Sequence, residues 1–189
     1  MKTYNIMHHN QHNLFETPIW GFVLNDQNFQ TIDYSEYILD LADTEQSKTK
    51  SNMGGWQSRD NLYQDPIFQE FNQAIVFAAK GVLQEYTNRD PYIQSMWANI
   101  NVKGDYNAHH THEGELSGVY YCQVPKNPGK LVLVNPAVRS YISVIKNNNF
   151  YINPERLALI MFPSWLEHYV EPSQSDDPRI SISFNIGIK

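Results

Sequence analysis

Arg179 to Ile188, read as RISISFNIGI, is the stretch that decides the fold. Isoleucine or phenylalanine stands at every second position from Ile180 onward, and the residues between are mostly polar. That is the period of a β-strand with one face buried, and β-branched and aromatic side chains favour a pleated surface. Four runs upstream have the same character: Met96–Val102 (MWANINV), Leu116–Val124 (LSGVYYCQV), Leu131–Val134 (LVLV) and Leu157–Phe162 (LALIMF). The second is closed by Pro125-Lys126-Asn127-Pro128-Gly129 and the fourth by Pro163-Ser164. Short strands punctuated by turn residues predict an antiparallel sandwich or barrel over residues 91–189.

Before Pro91 the spacing is helical. Phe29, Ile32, Tyr37, Leu39 and Leu41 predict one helix, ending at the polar stretch DTEQSKTKSN, which reads with the following MGGW as a loop. Asp65-Pro66 has the form of an N-cap followed by proline in the first turn. Behind it Ile67, Phe68, Phe71, Ile75, Ala78, Ala79, Val82 and Leu83 recur at three- and four-residue steps, which predicts an amphipathic helix that another layer must cover. Gly81 within it costs about 1 kcal/mol relative to alanine. The expected organisation is a single domain, 1–189, mainly β with helices. Its helical part, 25–90, packs on the outside of the sheets.

Composition excludes several functions. The net charge of -6 and the scattered lysines and arginines leave no basic stripe for nucleic acid. No apolar run is long enough to span a membrane, and the first residues lack the apolar core of a signal peptide. A single cysteine, Cys122, fits a reducing cytoplasm and reads as a small buried hydrophobe. An open sheet edge or the tryptophan-rich segments offer a surface for a homodimer.

The chemistry gathers in His109-His110-Thr111-His112-Glu113-Gly114-Glu115, which holds three of the 7 histidines. In an extended segment residues i and i+2 point to the same face, so His110 and His112 can share one metal ion while His109 points away. His168, after LALIMFPSW, is the chain-distant third candidate. Arg179 and Ser181 share a face at the start of the last strand. An arginine fork binds a carboxylate through two parallel hydrogen bonds, and a hydroxyl adds a third. A metal facing such a clamp suits a chelating 2-oxo acid held by its far end. The bland readings are an ion pair of Arg179 with Asp176, Asp177 or Glu171, and histidines that serve only as polar groups. His8, His9 and His12 look like a tail able to bind metal adventitiously.

The order His-x-His, distal His, Arg-x-Ser resembles the 2-oxoglutarate- and iron(II)-dependent oxygenases. HTHEGELSGVYYCQVP, LVLVNP, FPSWLEHYVEP and RISISFN resemble the recurring phrases of one subfamily of them. The likeness runs from about Trp97 to the C-terminus, more loosely including GGWQS at Gly54–Ser58. The resemblance implies a double-stranded β-helix (jelly roll) with helices packed on it and Fe(II) between the sheets. It implies 2-oxoglutarate as co-substrate on Arg179 and Ser181, and O2 as the oxidant. Oxidative decarboxylation to succinate and carbon dioxide would be coupled to oxidation of a small-molecule or protein substrate. Tyr120, on the strand after the ligand segment, is expected to hydrogen-bond the co-substrate. Trp56, Trp97, Trp165 and Tyr121 read as core. Asn99, Asn101 and Asn185 either line the pocket or satisfy backbone groups.

One position departs from the family pattern. The usual triad is two histidines and one carboxylate, and His112 stands where the carboxylate belongs. Three readings are open: a three-histidine site, a site completed by Glu113 or Glu115, or an iron role that has been lost. The i, i+2 geometry favours the three histidines, because Glu115 shares the parity of His109 and Gly114 breaks the strand. Two alternatives stand beside the oxygenase reading. A cupin-type three-histidine dioxygenase would need no 2-oxoglutarate and would leave Arg179 without a task. A non-enzymatic jelly-roll binding module would hold no iron.

Overall fold

The computed structural model describes residues 16–24, 34–136 and 149–189. Eleven strands occur among them: β1 Trp20–Val23, β2 Asn52–Met53, β3 Trp56–Gln57, β4 Pro91–Asn101, β5 Tyr106–His110, β6 Leu116–Gln123, β7 Leu131–Leu133, β8 Phe150–Ile152, β9 Ala158–Pro163, β10 His168–Val170 and β11 Arg179–Ile188. Two α-helices are α1, Tyr34–Thr44, and α2, Gln69–Leu83, the latter preceded by 3₁₀ turns at Leu62–Gln64 and Pro66–Phe68. The major sheet runs β1-β9-β6-β11-β4-β3 and the minor sheet β2-β5-β10-β7-β8. Paired strands are antiparallel throughout. The two sheets make a double-stranded β-helix.

The major sheet owes its two faces to strand parity. One face carries Met96 and Ala98 of β4, Leu116, Tyr120 and Cys122 of β6, and Ile180, Ile182, Phe184 and Ile186 of β11. It packs against Tyr34 and Ile38 of α1 and Phe71, Ile75 and Ala79 of α2. Phe71, Ile75 and Ala79 recur every fourth residue, so they form one stripe of α2. The main hydrophobic core therefore lies between the helices and the sheet. Between the sheets there is only a small apolar cluster, Leu131, Leu133, Phe162 and Leu166. Most other described interior positions are polar, with Trp97, Val119 and Val170 among the exceptions.

The structure corrects the sequence reading in three places. The part expected to be helical, 25–90, is not only helical, since β2 and β3 within it join the two sheets. Strands of two residues are too short to show a period of two. A two-glycine turn sets β3 in place: Gly54 and Gly55 have φ of 74° and 65°, and a side chain on Gly55 would meet the Ile100 carbonyl oxygen at 2.6 Å. Asp65 is not a side-chain cap. Its carboxylate accepts from the Tyr37 hydroxyl at 2.8 Å and pairs with Arg59, which also pairs with Glu45. The charged network outcompetes a backbone N–H, and Pro66 opens a 3₁₀ turn three residues before α2 begins. Third, His168 starts a strand of its own after the turn at Pro163–Leu166. Phe29, Ile32, His8, His9 and His12 lie outside the described residues.

Phe71 is fully buried, with its ring 5.0 Å from that of Tyr120 and 5.5 Å from that of Tyr34. Phe71→Ala should lower unfolding stability by about 3–5 kcal/mol, the range for such a cavity. Urea denaturation measures it, and a loss below about 1 kcal/mol would show that the helix layer does not carry the core.

Candidate metal centre

Strand register builds the cluster. β5 ends at His110, whose cross-strand partner on β10 is His168. Opposed residues of an antiparallel pair project to the same face, and the two ring centroids are 4.3 Å apart. His112 follows two residues beyond the end of β5. Its backbone N–H donates to the Ser164 carbonyl at 3.0 Å, which swings its ring to 4.8 Å from His110 and 5.1 Å from His168. The possible ligand atoms of these three histidines all lie within 4.8 Å of one another.

Two of the three rings are oriented from behind. Nδ1 of His110 donates to the Ala108 carbonyl at 2.7 Å, and Nδ1 of His168 to the Leu166 carbonyl at 2.8 Å. A donor at Nδ1 leaves Nε2 as the lone-pair nitrogen, the second-partner arrangement typical of metal-binding histidines. His112 instead leans on the Trp97 ring, 5.4 Å away. Burial holds all three below the usual imidazole value, His112 at about 4 and His168 at about 3, with neighbouring imidazoles adding to the effect. They are neutral at pH 7, as a metal ligand must be.

The neighbouring acids stay outside. Glu113 and Glu115 are exposed and neither joins the cluster. Gly114, with φ of 106°, turns the chain between them. Glu115 is held by its backbone, its N–H donating to the Ile186 carbonyl and its own carbonyl accepting from the Ser164 N–H. His109 faces away, stacked on Tyr169 with 4.2 Å between centroids, and its Nδ1 lies 3.0 Å from the Glu167 carboxylate.

Below the cluster the inner face of the major sheet is a polar ladder. Its rows, read across β4, β11 and β6, are Ser95–Asn185–Ser117, Trp97–Ser183–Val119 and Asn99–Ser181–Tyr121, with Asn101–Arg179 beneath. The cavity between the sheets is lined by all three histidines, Asn99, Tyr121, Arg179 and Ser181. Its open space of about 60 Å³ holds about four or five water-sized groups, a slot suited to a slender chain. From the level of Trp97, beside His112, to that of Arg179 is four residues, roughly 13 Å of strand.

Arg179 closes the far end and is 3% exposed. Its Nη1 donates to the carbonyls of Pro128 and Gly129, at 3.0 and 3.3 Å, and its Nη2 to Asn101 Oδ1 at 2.7 Å. Nε is buried with no partner, and no described carboxylate makes an ion pair with the guanidinium. The pairing with Asp176, Asp177 or Glu171 is thus not formed. Burial lowers the guanidinium below its ordinary value, yet arginine stays charged in proteins. A buried cation without an anion is the most costly feature of the interior. The Ser181 hydroxyl makes no hydrogen bond among the described residues.

Tyr120 does not belong here. It packs at 1% exposure in the helix-side core against Phe71 and Tyr34. Its neighbour Tyr121 has the interior parity of Ser117 and Val119 and lines the cavity. Parity within LSGVYYCQV could have identified it. Asn101 was visible only as an ambiguous polar strand residue, and its hold on Arg179 needed the register to appear.

Residues 95–185 match the family described as "Putative 2OG-Fe(II) oxygenase". The match spans just under half of the chain. No curated protein sequence matches the chain. Among solved structures, a prolyl-4-hydroxylase of Pseudomonas putida is similar with a TM-score of 0.66 at 14% identity, over 89% of this chain and 92% of that one. The collagen prolyl hydroxylase of Paramecium Bursaria Chlorella virus-1, solved as a 2OG complex, has a TM-score of 0.61 at 11% identity, over 89% and 94%. HygX of Streptomyces hygroscopicus, solved with nickel, 2-oxoglutarate and hygromycin B, has a TM-score of 0.64 at 9% identity, over 90% and 83%. At such identities these likenesses establish a shared fold.

The neutral histidines make the metal-free protein sensitive to acid. His168 titrates at about 3 when folded and near 6.5 when unfolded, so between these values only the unfolded chain takes up the proton. Stability is then unaffected above pH 6.5 and falls as the pH drops below it. Between pH 7.5 and 5.5 His168 should account for a loss of about 1.4 kcal/mol. Urea midpoints at the two pH values measure the decline, and His168→Gln should reduce it by that amount. An equal decline in both proteins would contradict the assignment.

Proposed function

We propose that His110, His112 and His168 hold Fe(II), and that Arg179, Ser181 and Tyr121 receive the far carboxylate of 2-oxoglutarate. The observation that carries this is the unpartnered, buried Arg179 Nε at the end of a narrow cavity whose other end is the three-histidine cluster. Three neutral imidazoles suit a divalent first-row ion; Nδ1 donation leaves the Nε2 lone pairs of His110 and His168 for it, that of His110 beside the Ser51 hydroxyl at 3.4 Å. A buried guanidinium with its Nε–H and one Nη2–H unspent suits a carboxylate.

Each residue then has a defined task. Ala108 and Leu166 fix the tautomers of His110 and His168 through their carbonyls. Asn101 and the Pro128–Gly129 carbonyls fix the plane of the Arg179 fork, leaving Nε for the ligand. Ser181 supplies a hydroxyl proton beside it. The bound iron and 2-oxoglutarate supply oxidative decarboxylation with O2, coupled to oxidation of a second substrate. A cupin-type site without 2-oxoglutarate would leave Arg179 as an unneutralised buried charge. No helix among the described residues is long and apolar enough to cross a membrane. The chain's one cysteine, Cys122, is buried and in no disulfide, which supports our placing the protein in a reducing, cytoplasmic compartment.

The test combines iron content, calorimetric 2-oxoglutarate binding and succinate formation. The parent protein should bind iron(II) and form succinate from 2-oxoglutarate. His168→Ala should lose the iron and remain folded. Arg179→Ala should retain iron and bind 2-oxoglutarate more weakly by about 2–5 kcal/mol, the range for truncating one side of a buried charge pair. Unchanged 2-oxoglutarate affinity in Arg179→Ala would remove the clamp, and full iron content in His168→Ala would remove the ligand set.

A further inference from the structure

Outside the histidine cluster lies a second, wider space of about 510 Å³, which shares Ser51, Trp97, His110 and His112 with the inner cavity. A pocket of that size takes a small molecule. Its wall is unusual for such a site. Among the described residues Trp97 and Ala108 are its only apolar lining; the others are amides, hydroxyls, histidines, Lys50 and Asp60.

Two of the polar groups are built into the wall. Gln57 is 4% exposed, yet its carboxamide makes no hydrogen bond among the described residues. It stands opposite Asn99 in the β3–β4 pair, and Asn99 Oδ1 is buried and unpartnered as well. Gln57 lines the groove and Asn99 the inner cavity, so the Gln57 amide and the Asn99 carbonyl, whose NH2 donates to Ser183 at 3.3 Å, flank the passage between them. Across the groove, Asn185 accepts from Ser117 at 2.8 Å and donates to Ser95 at 3.0 Å. That leaves the Ser95 proton and the second Asn185 N–H available to a ligand. The Gly54–Gly55 turn and the pairing with β4 hold the backbone that carries Gln57 in place.

We propose that this groove is the substrate site and takes a compact small molecule rich in hydroxyl or amino groups, such as a sugar, amino sugar or cyclitol, recognised by Gln57, Asn185 and Ser95. The inference rests on the oxygenase reading above. An apolar molecule would cover the Gln57 amide without pairing it, which is unfavourable. A polyhydroxylated ring returns those hydrogen bonds and can lay its C–H face on Trp97.

The test uses the full chain loaded with iron(II) and 2-oxoglutarate. Without oxygen, thermal shifts are recorded with three probe sets: monosaccharides, amino sugars and cyclitols; short proline-containing and other peptides; and apolar aromatic compounds. In air, succinate formation is followed with each probe that shifts the melting temperature. The expected result is that members of the first set raise the melting temperature and stimulate succinate formation. Gln57→Leu should then weaken their apparent affinity by about tenfold or more, with Ser95→Ala acting in the same direction and 2-oxoglutarate affinity unchanged in both. Binding confined to peptides or apolar compounds overturns the substrate class. So does no response to any member of the first set, or an undiminished affinity in a folded Gln57→Leu. A parent protein that does not bind 2-oxoglutarate overturns the oxygenase reading, and this inference with it.

Discussion

The constraint on which the rest depends is the separation of the two faces of one sheet. Strands β4, β6 and β11 send most of their apolar residues to the helices and most of their polar residues, with Trp97 and Val119, to the space between the sheets. Because the main core is made with α1 and α2, the interior of the β-helix is released from the task of holding the fold together. It can then keep histidines, amides and an arginine that would be intolerable in an ordinary core. Interior strain has one further relief. A hydroxyl carries a single proton, so Ser117, donating to Asn185, accepts from Ser164 at 3.0 Å. Ser164 in turn receives the N–H of His112. The same polar row that lines the groove thus anchors the turn on which His112 sits.

Much of this was legible in the sequence, for a definite reason. A period of two over ten residues, as in RISISFNIGI, fixes which side chains share a face, and so it placed Arg179 and Ser181 together before any fold was known. The same arithmetic paired His110 with His112. It also gave Tyr121 the interior parity of Ser117, so choosing Tyr120 was a failure to carry the count through the strand. What parity cannot supply is register. That His168 stands opposite His110, or that Asn101 meets Arg179, follows from pairing between segments 58 and 78 residues apart. Local patterns contain nothing of this kind. The two-residue strands β2 and β3 were invisible too, since a strand shorter than its own period has no signature. Asp65 was misread because a cap is only one of several partners a carboxylate can take, and Arg59 with Tyr37 proved stronger.

The replacement of a carboxylate by His112 has an electrostatic consequence. On the proposed assignment the ligands are three neutral imidazoles, so a divalent ion keeps its full charge of +2, where a carboxylate ligand would leave +1. Arg179 adds another positive charge in the same water-poor cavity; no described carboxylate pairs with it directly, and Asp105 offsets it only from a distance. A dianionic 2-oxo acid is the species that neutralises both ends at once, its chelating end on the metal and its far carboxylate on the arginine. Coulomb attraction in a medium of low dielectric is strong, so the loss of the acidic ligand should tighten the hold on the co-substrate. The same excess charge disfavours a second cation at the groove's inner end. An amino-substituted substrate would therefore enter with its cationic group toward the exposed Asp60 at the mouth and its neutral, hydroxyl-bearing carbon toward the histidines. The polarity of the site thus orients the molecule it oxidises.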